Sequence, residues 1–209
     1  MIKEHLGHRI DGWVHRFFPF LFWRPIPPDA LTVIGTVVAG AAGLAYAEGA
    51  IVLGGVLLLA GGFFDLVDGV VARHFGVSTR FGAFLDSSLD RVVDILVMLG
   101  LSIYFARRDD VAGMAVCAIV LVSSVLTSYA KARAELILTR MPGGFLERGE
   151  RIGLLILGSI TGWLWPALVF LAIGSTVTAG QRFLYARREM DRLDRAEREA
   201  PAGPGDETA

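Results

Sequence analysis

Five long stretches of this chain carry no charged residue: 30–47, 49–64, 95–106, 111–130 and 152–181. Runs of that length point to a bilayer, whose hydrocarbon core of about 30 Å takes roughly 20 helical residues to cross. Inside it a backbone must satisfy its own hydrogen bonds, so the expected fold class is all-α, a polytopic membrane protein. The composition agrees, with 54% apolar against 20% charged residues and a net charge of −1. That balance excludes a disordered chain and a generally basic nucleic-acid binder. The single cysteine, Cys117, excludes a disulfide scaffold and reads as a small buried hydrophobe.

Two of the stretches are too short to span unless they take in acidic residues. The second must run through Asp65 and Asp68 to Ala72, and the third must start near Phe81 and carry Asp86, Asp90 and Asp94. The last is long enough for two spans, roughly 145–164 and 166–185, turning at Trp163-Leu164-Trp165-Pro166. With six spans, every lysine and arginine except Arg107 and Arg108 falls on one side. With five, the arginines of the C-terminal segment change sides. The positive-inside rule therefore selects six spans in the cell inner membrane, with both termini cytoplasmic.

Ahead of the first span, residues 1–28 mix Lys3, Arg9 and Arg16 with Trp13, Phe17, Phe18 and Phe22. This pattern predicts an interfacial amphipathic helix and lacks the short core and small-residue cleavage site of a signal peptide. Residues 29–187 form the membrane domain, and 188–209 a charged cytoplasmic tail with a disordered Pro/Gly-rich end.

The aspartates stand out against this background. A charged side chain at membrane depth costs about 2.5 kcal/mol or more on insertion scales, so such residues mark function by default. Asp65 and Asp68 are i,i+3 and Asp86 and Asp90 are i,i+4, which puts each pair on one helix face. A short loop joins the two helices, so four carboxylates can meet near the cytoplasmic interface. They cannot all stay ionised without cations, and Arg73 and Arg91 supply two positive charges at most. Hard oxygen ligands without histidine or thiol suit Mg²⁺ or Mn²⁺, and four are enough for two ions, the arrangement of phosphoryl transfer. Gly69 and Gly82 would let a phosphate or nucleotide approach the helix backbones. Asp94, one turn further on, reads as an outer partner of the site or as the partner of an arginine.

These residues compose the string D-x2-D-G-x2-A-R-x8-G-x3-D-x3-D from Asp65 to Asp90, which resembles the signature of the CDP-alcohol phosphotransferase family. The resemblance implies six membrane helices behind an interfacial helix, and commonly a homodimer. It implies that Asp65, Asp68, Asp86 and Asp90 hold two metal ions and that Asp90 is also the general base. Asp68, Gly69, Ala72, Arg73 and Gly82 would contact the CDP part of a CDP-diacylglycerol donor. Pro28-Asp29-Ala30-Leu31-Thr32 is similar to the family's P-N-x-L-T entry to its first helix, which brings Thr32 and Asp29 to the donor. A hydroxyl of an acceptor alcohol would attack the lipid-bearing phosphorus, and CMP would leave.

A second polar cluster, Ser128-Tyr-Ala-Lys131-Ala-Arg133-Ala-Glu135, Glu147-Arg148-Gly-Glu150-Arg151 and Gln181-Arg182, falls on the same side. Cations from three helix ends converging there would suit an acceptor that brings its own phosphate. The strings S-Y-x-K-A-R-A-E and G-G-F-x-E-R-x-x-R resemble the branch of the family that makes phosphatidylinositol phosphate. That resemblance implies 1D-myo-inositol 3-phosphate as acceptor, gripped by Ser128, Lys131, Arg151 and Arg182, with Arg133 and Arg148 paired to Glu135 and Glu147. Alternatives are a phosphatidylglycerophosphate synthase, whose acceptor also carries a phosphate, and a cation transporter. The absence of an internal repeat and the placement of the aspartates beside one interface argue against transport.

Overall fold

The computed structural model describes residues 27–139 and 141–199, and every element among them is a helix. In order these are α1 (Pro28–Ala47), α2 (Ile51–Phe75), α3 (Arg80–Ala106), α4 (Val111–Ala134), α5 (Arg148–Thr161) and α6 (Leu164–Glu199). Of the interfacial helix expected over 1–28, all but the last two residues lie outside the described residues, as does the end of the tail. As far as Glu199 the tail continues α6.

Local signals set the boundaries. Pro28 opens α1, where its missing N–H costs nothing. Gly76, at φ 64°, ends α2 in the left-handed conformation that glycine adopts without strain. Three residues later the Thr79 hydroxyl accepts from Gly82 N at 2.8 Å and starts α3. Asp110 caps α4 in the same way through Gly113 N. Glu147 and Glu150 form a reciprocal capping box at the start of α5. The turn expected at 163–166 comes slightly earlier: Gly162, at φ 79°, closes α5, and Pro166 sits in the first turn of α6. Proline is accepted there because the first N–H groups of a helix have no partner to lose.

α1 packs against both α2 and α3, α4 against α3 and α6, and α5 against α2 and α6. Glycines let α1 come very close to its neighbours. A Cβ on Gly61 of α2 would lie 2.9 Å from the Gly35 carbonyl oxygen. One on Gly100 of α3 would collide with the Gly43 carbonyl. The shared core runs through all six helices, from Ala42 and Tyr46 through Leu58, Leu101, Cys117 and Leu155 to Leu168. Large apolar side chains also face outward around the bundle, Leu44 at 73% exposure and Val111 at 74% among them. A surface this apolar is suited to lipid.

Among the described residues, α1, α2, α4 and α6 are long and apolar enough to cross a membrane. At 27 residues α3 has the length but carries the aspartates, and α5, with 14 residues, falls short of a full span. The chain is a multi-pass membrane protein. The two arginines placed apart from the rest pack at the other end of the bundle. Arg107 donates to Ala47 O at 2.8 Å and pairs with Glu48 at 3.1 Å, and Arg108 lies 3.7 Å above the Tyr104 ring.

Candidate active site

The last turns of α2 and the first turns of α3 bring three of the four aspartates together. One carboxylate oxygen from each of Asp65, Asp68 and Asp86 lies within 4.8 Å of the others. Three hard oxygen donors at that spacing fit a divalent cation of the Mg²⁺ or Mn²⁺ class. Asp68 is the buried member, and its Oδ2 accepts a hydrogen bond from the Thr32 hydroxyl of α1. Thr32 thus touches the carboxylate cluster as well as the space expected for the donor.

Asp90, one turn beyond Asp86, faces a cation. Its Oδ1 is 2.8 Å from Arg148 Nη2, and its Oδ2 is 3.8 Å from Arg91 Nη2. Arg148 also stands 3.8 Å from Asp65 and 3.7 Å from Asp94. This corrects the expected pairing of Arg148 with Glu147. Glu147 is the N-cap of α5 and its carboxylate is engaged at the capping box, while Arg148, the next residue, projects into the aspartates. The expected partner of Glu135 changes as well, with Lys131 Nζ at 3.7 Å. Asp94 is buried and pairs with a second arginine, Arg151, at 3.6 Å.

Three cavities surround this cluster. One of about 170 Å³ is lined by Thr32, Asp68, Gly69, Ala72, Gly82 and Asp86, with Asp29 at its edge. Asp86 apart, which is expected as a metal ligand, these are the residues expected to meet the donor; Arg73 is missing from them, exposed at the end of α2 with its guanidinium over Gly69. Gly82 is needed for a close approach: a Cβ there would lie 2.9 Å from Asp29 Oδ1 and 3.1 Å from the Thr79 hydroxyl. A second cavity, about 240 Å³, runs from Asp65, Asp90 and Arg148 between α1, α2 and α5, past Gly35, Gly61 and Gly153 to Leu58 and Ile156.

The third and largest, about 590 Å³, brings together all four residues expected to grip an acceptor phosphate: Ser128, Lys131, Arg151 and Arg182. Arg91 and Arg148 join them in its lining. Arg91 donates to the Ser128 hydroxyl at 2.6 Å, and Arg182 donates to Thr127 O at 2.7 Å. The buried Nε atoms of Arg91, Arg148 and Arg182 have no hydrogen-bond acceptor among the described residues. A buried donor left unsatisfied costs about 1–3 kcal/mol, and an anion held among these groups would recover part of it.

In the sequence Arg91 stands out only as a countercharge for the aspartates, and Arg148 falls outside the expected site. A signal for Arg148 was present: Asp90 and Asp94 at i,i+4 on one helix match Arg148 and Arg151 at i,i+3 on another.

The chain is similar to proteins already known. The family profile described as CDP-alcohol phosphatidyltransferase matches residues 26–179. The chain is 37% identical over 191 residues to an archaetidylinositol phosphate synthase of Methanothermobacter thermautotrophicus, covering 88% of this chain and 95% of that one. It is 38% identical over 198 residues to a phosphatidylinositol phosphate synthase of Streptomyces avermitilis, covering 86% and 80%. The crystal structure of Mycobacterium tuberculosis phosphatidylinositol phosphate synthase with CDP-DAG bound superposes with a TM-score of 0.72 at 31% identity, covering 87% of this chain and 94% of that one. The same enzyme in complex with manganese and citrate gives 0.70 at 31% identity, covering 86% and 88%. With its signature motif, its carboxylate cluster and these relatives in agreement, the chain belongs to the CDP-alcohol phosphatidyltransferase family.

Proposed function

We propose that this membrane transferase moves the phosphatidyl group of CDP-diacylglycerol onto a hydroxyl of 1D-myo-inositol 3-phosphate, giving phosphatidylinositol phosphate and CMP. The observation that carries the reading is the 590 Å³ cavity, in which Ser128, Lys131, Arg151 and Arg182 gather beside the aspartates with Arg91 and Arg148. In that lining Lys131, Arg91, Arg148, Arg151 and Arg182 outnumber the carboxylates of Glu135 and Glu147, which favours an acceptor that brings its own phosphate. The relatives named as inositol phosphate lipid synthases support the same choice.

In this reading Asp65, Asp68, Asp86 and Asp90 hold two Mg²⁺ or Mn²⁺ ions, which when bound neutralise the donor pyrophosphate and the charge developing on CMP. Thr32 fixes the Asp68 carboxylate. Gly69, Ala72 and Gly82 leave room for the nucleotide against the helix backbones, and Arg73 meets it from the end of α2. Asp90 accepts the proton of the acceptor hydroxyl as that oxygen attacks the lipid-bearing phosphorus; an alcohol near its ordinary pKa is otherwise a poor nucleophile. Arg151 and Arg182, buried and held by Asp94 and the Thr127 carbonyl, orient the acceptor phosphate.

The proposal extends to the setting: six membrane passages behind an interfacial helix over 1–28, a membrane domain over 29–187, and a charged cytoplasmic segment over 188–209. It places both termini and the site on the cytoplasmic face of the inner membrane, in a homodimer. The uneven distribution of lysine and arginine supports the orientation.

The deciding experiment supplies purified protein with CDP-diacylglycerol, Mg²⁺ and either inositol phosphate or glycerol 3-phosphate, and measures CMP and lipid product. CMP release that depends on inositol phosphate is expected. Release with glycerol 3-phosphate alone would reassign the acceptor, and no release with any phosphorylated alcohol would overturn the reading.

A further inference from the structure

Where α3 faces α5, acidic and basic groups alternate. Asp90 and Asp94 are one turn apart on α3, and Arg148 and Arg151 one turn apart on α5. Arg148 Nη2 is 2.8 Å from Asp90 Oδ1, Arg148 Nε is 3.7 Å from Asp94 Oδ1, and Arg151 Nη2 is 3.6 Å from Asp94 Oδ2. Among the described residues, Arg148 is also the one that lines both the cavity containing Asp65 and Asp90 and the cavity containing Ser128, Lys131, Arg151 and Arg182. It stands in the common wall of the two.

We infer that Arg148, itself held by Asp94, is a positioning residue of the transfer: it fixes the Asp90 carboxylate at the boundary between the metal-side cavity and the acceptor cavity. The inference rests on the transferase reading proposed above and deepens it. The Asp90 side chain is only 16% exposed and shares its surroundings with the other carboxylates of the cluster, which repel it. One strong ion pair decides which way it points. The guanidinium is suited to the task because its rigid planar fork aims one N–H at Asp90 while its delocalised charge stays close to Asp94. A lysine at the same place would bring one point charge and could serve only one of them. Asp94, 8% exposed, serves as the anchor, a single carboxylate placed between the two arginines. Loss of Arg148 still leaves Asp94 its contact with Arg151, so the fold retains a partner for its buried carboxylate.

The test uses the full-length protein in detergent micelles with CDP-diacylglycerol, Mg²⁺ and inositol phosphate. Arg148→Ala should lower kcat about a hundredfold, the scale of a misplaced general base, with the KM of donor and acceptor each within about threefold. Arg148→Lys should recover only part of the loss. Asp94→Asn should act in the same direction, and the double variant Arg148→Ala/Asp94→Asn should be no worse than Arg148→Ala alone, since both break one chain of contacts. Arg133→Ala, an exposed arginine outside these cavities, serves as control.

A kcat within threefold of the parent together with a raised acceptor KM would make Arg148 a binding cation and overturn the inference. Full recovery in Arg148→Lys would reduce its role to charge neutralisation and overturn it too, as would additive losses in the double variant. Should Arg148→Ala fail to bind donor, Arg148→Lys and Asp94→Asn carry the test. Absence of product from the unsubstituted protein with every phosphorylated alcohol would instead overturn the transferase reading itself.

Discussion

The Thr32 hydroxyl on α1 donates a hydrogen bond to Oδ2 of Asp68 on α2, joining the entry of the first helix to the buried member of the carboxylate cluster. The same hydroxyl lies 3.1 Å from Pro28 O, an alternative acceptor for its single proton. Partners that orient a ligating carboxylate typically contribute a factor of about 10–100 to metal affinity. Thr32→Val keeps the shape and removes the bond. The metal concentration for half-maximal CMP release should rise by about that factor, with the rate at saturating metal little changed. An unaltered metal requirement would mean that Thr32 acts on the donor alone.

Asp90→Asn preserves size and removes the base. Turnover should fall by about 10²–10⁴, while binding of CDP-diacylglycerol, followed by thermal shift, should largely persist. Near-normal turnover would remove Asp90 from the proton-transfer role.

The acceptor cavity should show a gradient. Arg151 is buried, whereas the Lys131 side chain is 48% exposed and already paired with Glu135. A hydrogen bond to a charged group contributes about 1.5–3 kcal/mol, and a solvent-screened one much less. Arg151→Ala should raise acceptor KM by at least about tenfold, Lys131→Ala by less than about fivefold, and neither should shift donor KM comparably. Equal effects on donor and acceptor would count against a phosphate-gripping cavity.

Chelation should abolish CMP release, and Mg²⁺ or Mn²⁺ should restore it, because the cluster of Asp65, Asp68 and Asp86 offers only hard oxygen ligands. The metal dependence should be sigmoidal if two ions act together. A hyperbolic curve with one ion bound per chain by calorimetry would reduce the site to a single metal.

Much of this site was legible because its chemistry depends on residues close in sequence. The spacings of Asp65 with Asp68 and of Asp86 with Asp90 put them on helix faces that a short connection had to bring together, and the structure brings Asp65, Asp68 and Asp86 of the four within 4.8 Å. The three acceptor cations, on three different helices, are marked by their shared side of the membrane and Ser128 by the family resemblance, and all four line one cavity. What stayed hidden was partner choice. Arg148 lies beside Glu147 in sequence, and the spacings that match it to Asp90 become a pairing only once α5 is known to face α3. The length of α5 was also out of reach: the approach to it through 141–146 is non-helical, so the helix begins only at its capping box.

The contact of Gly43 with Gly100 gives α1 and α3 a fulcrum. From Gly100 to Asp86 the helix acts as a lever of roughly 20 Å at its rise per residue, so a tilt of about 3° at the crossing displaces the carboxylate by about 1 Å. Misplacement on that scale can cost about 10²-fold in rate. A single methyl introduced at Gly100 would therefore register mainly as a mis-aimed carboxylate at the far end of the arm. The accuracy of the metal site is set in part at a backbone contact deep in the apolar bundle, at a residue with no side chain of its own.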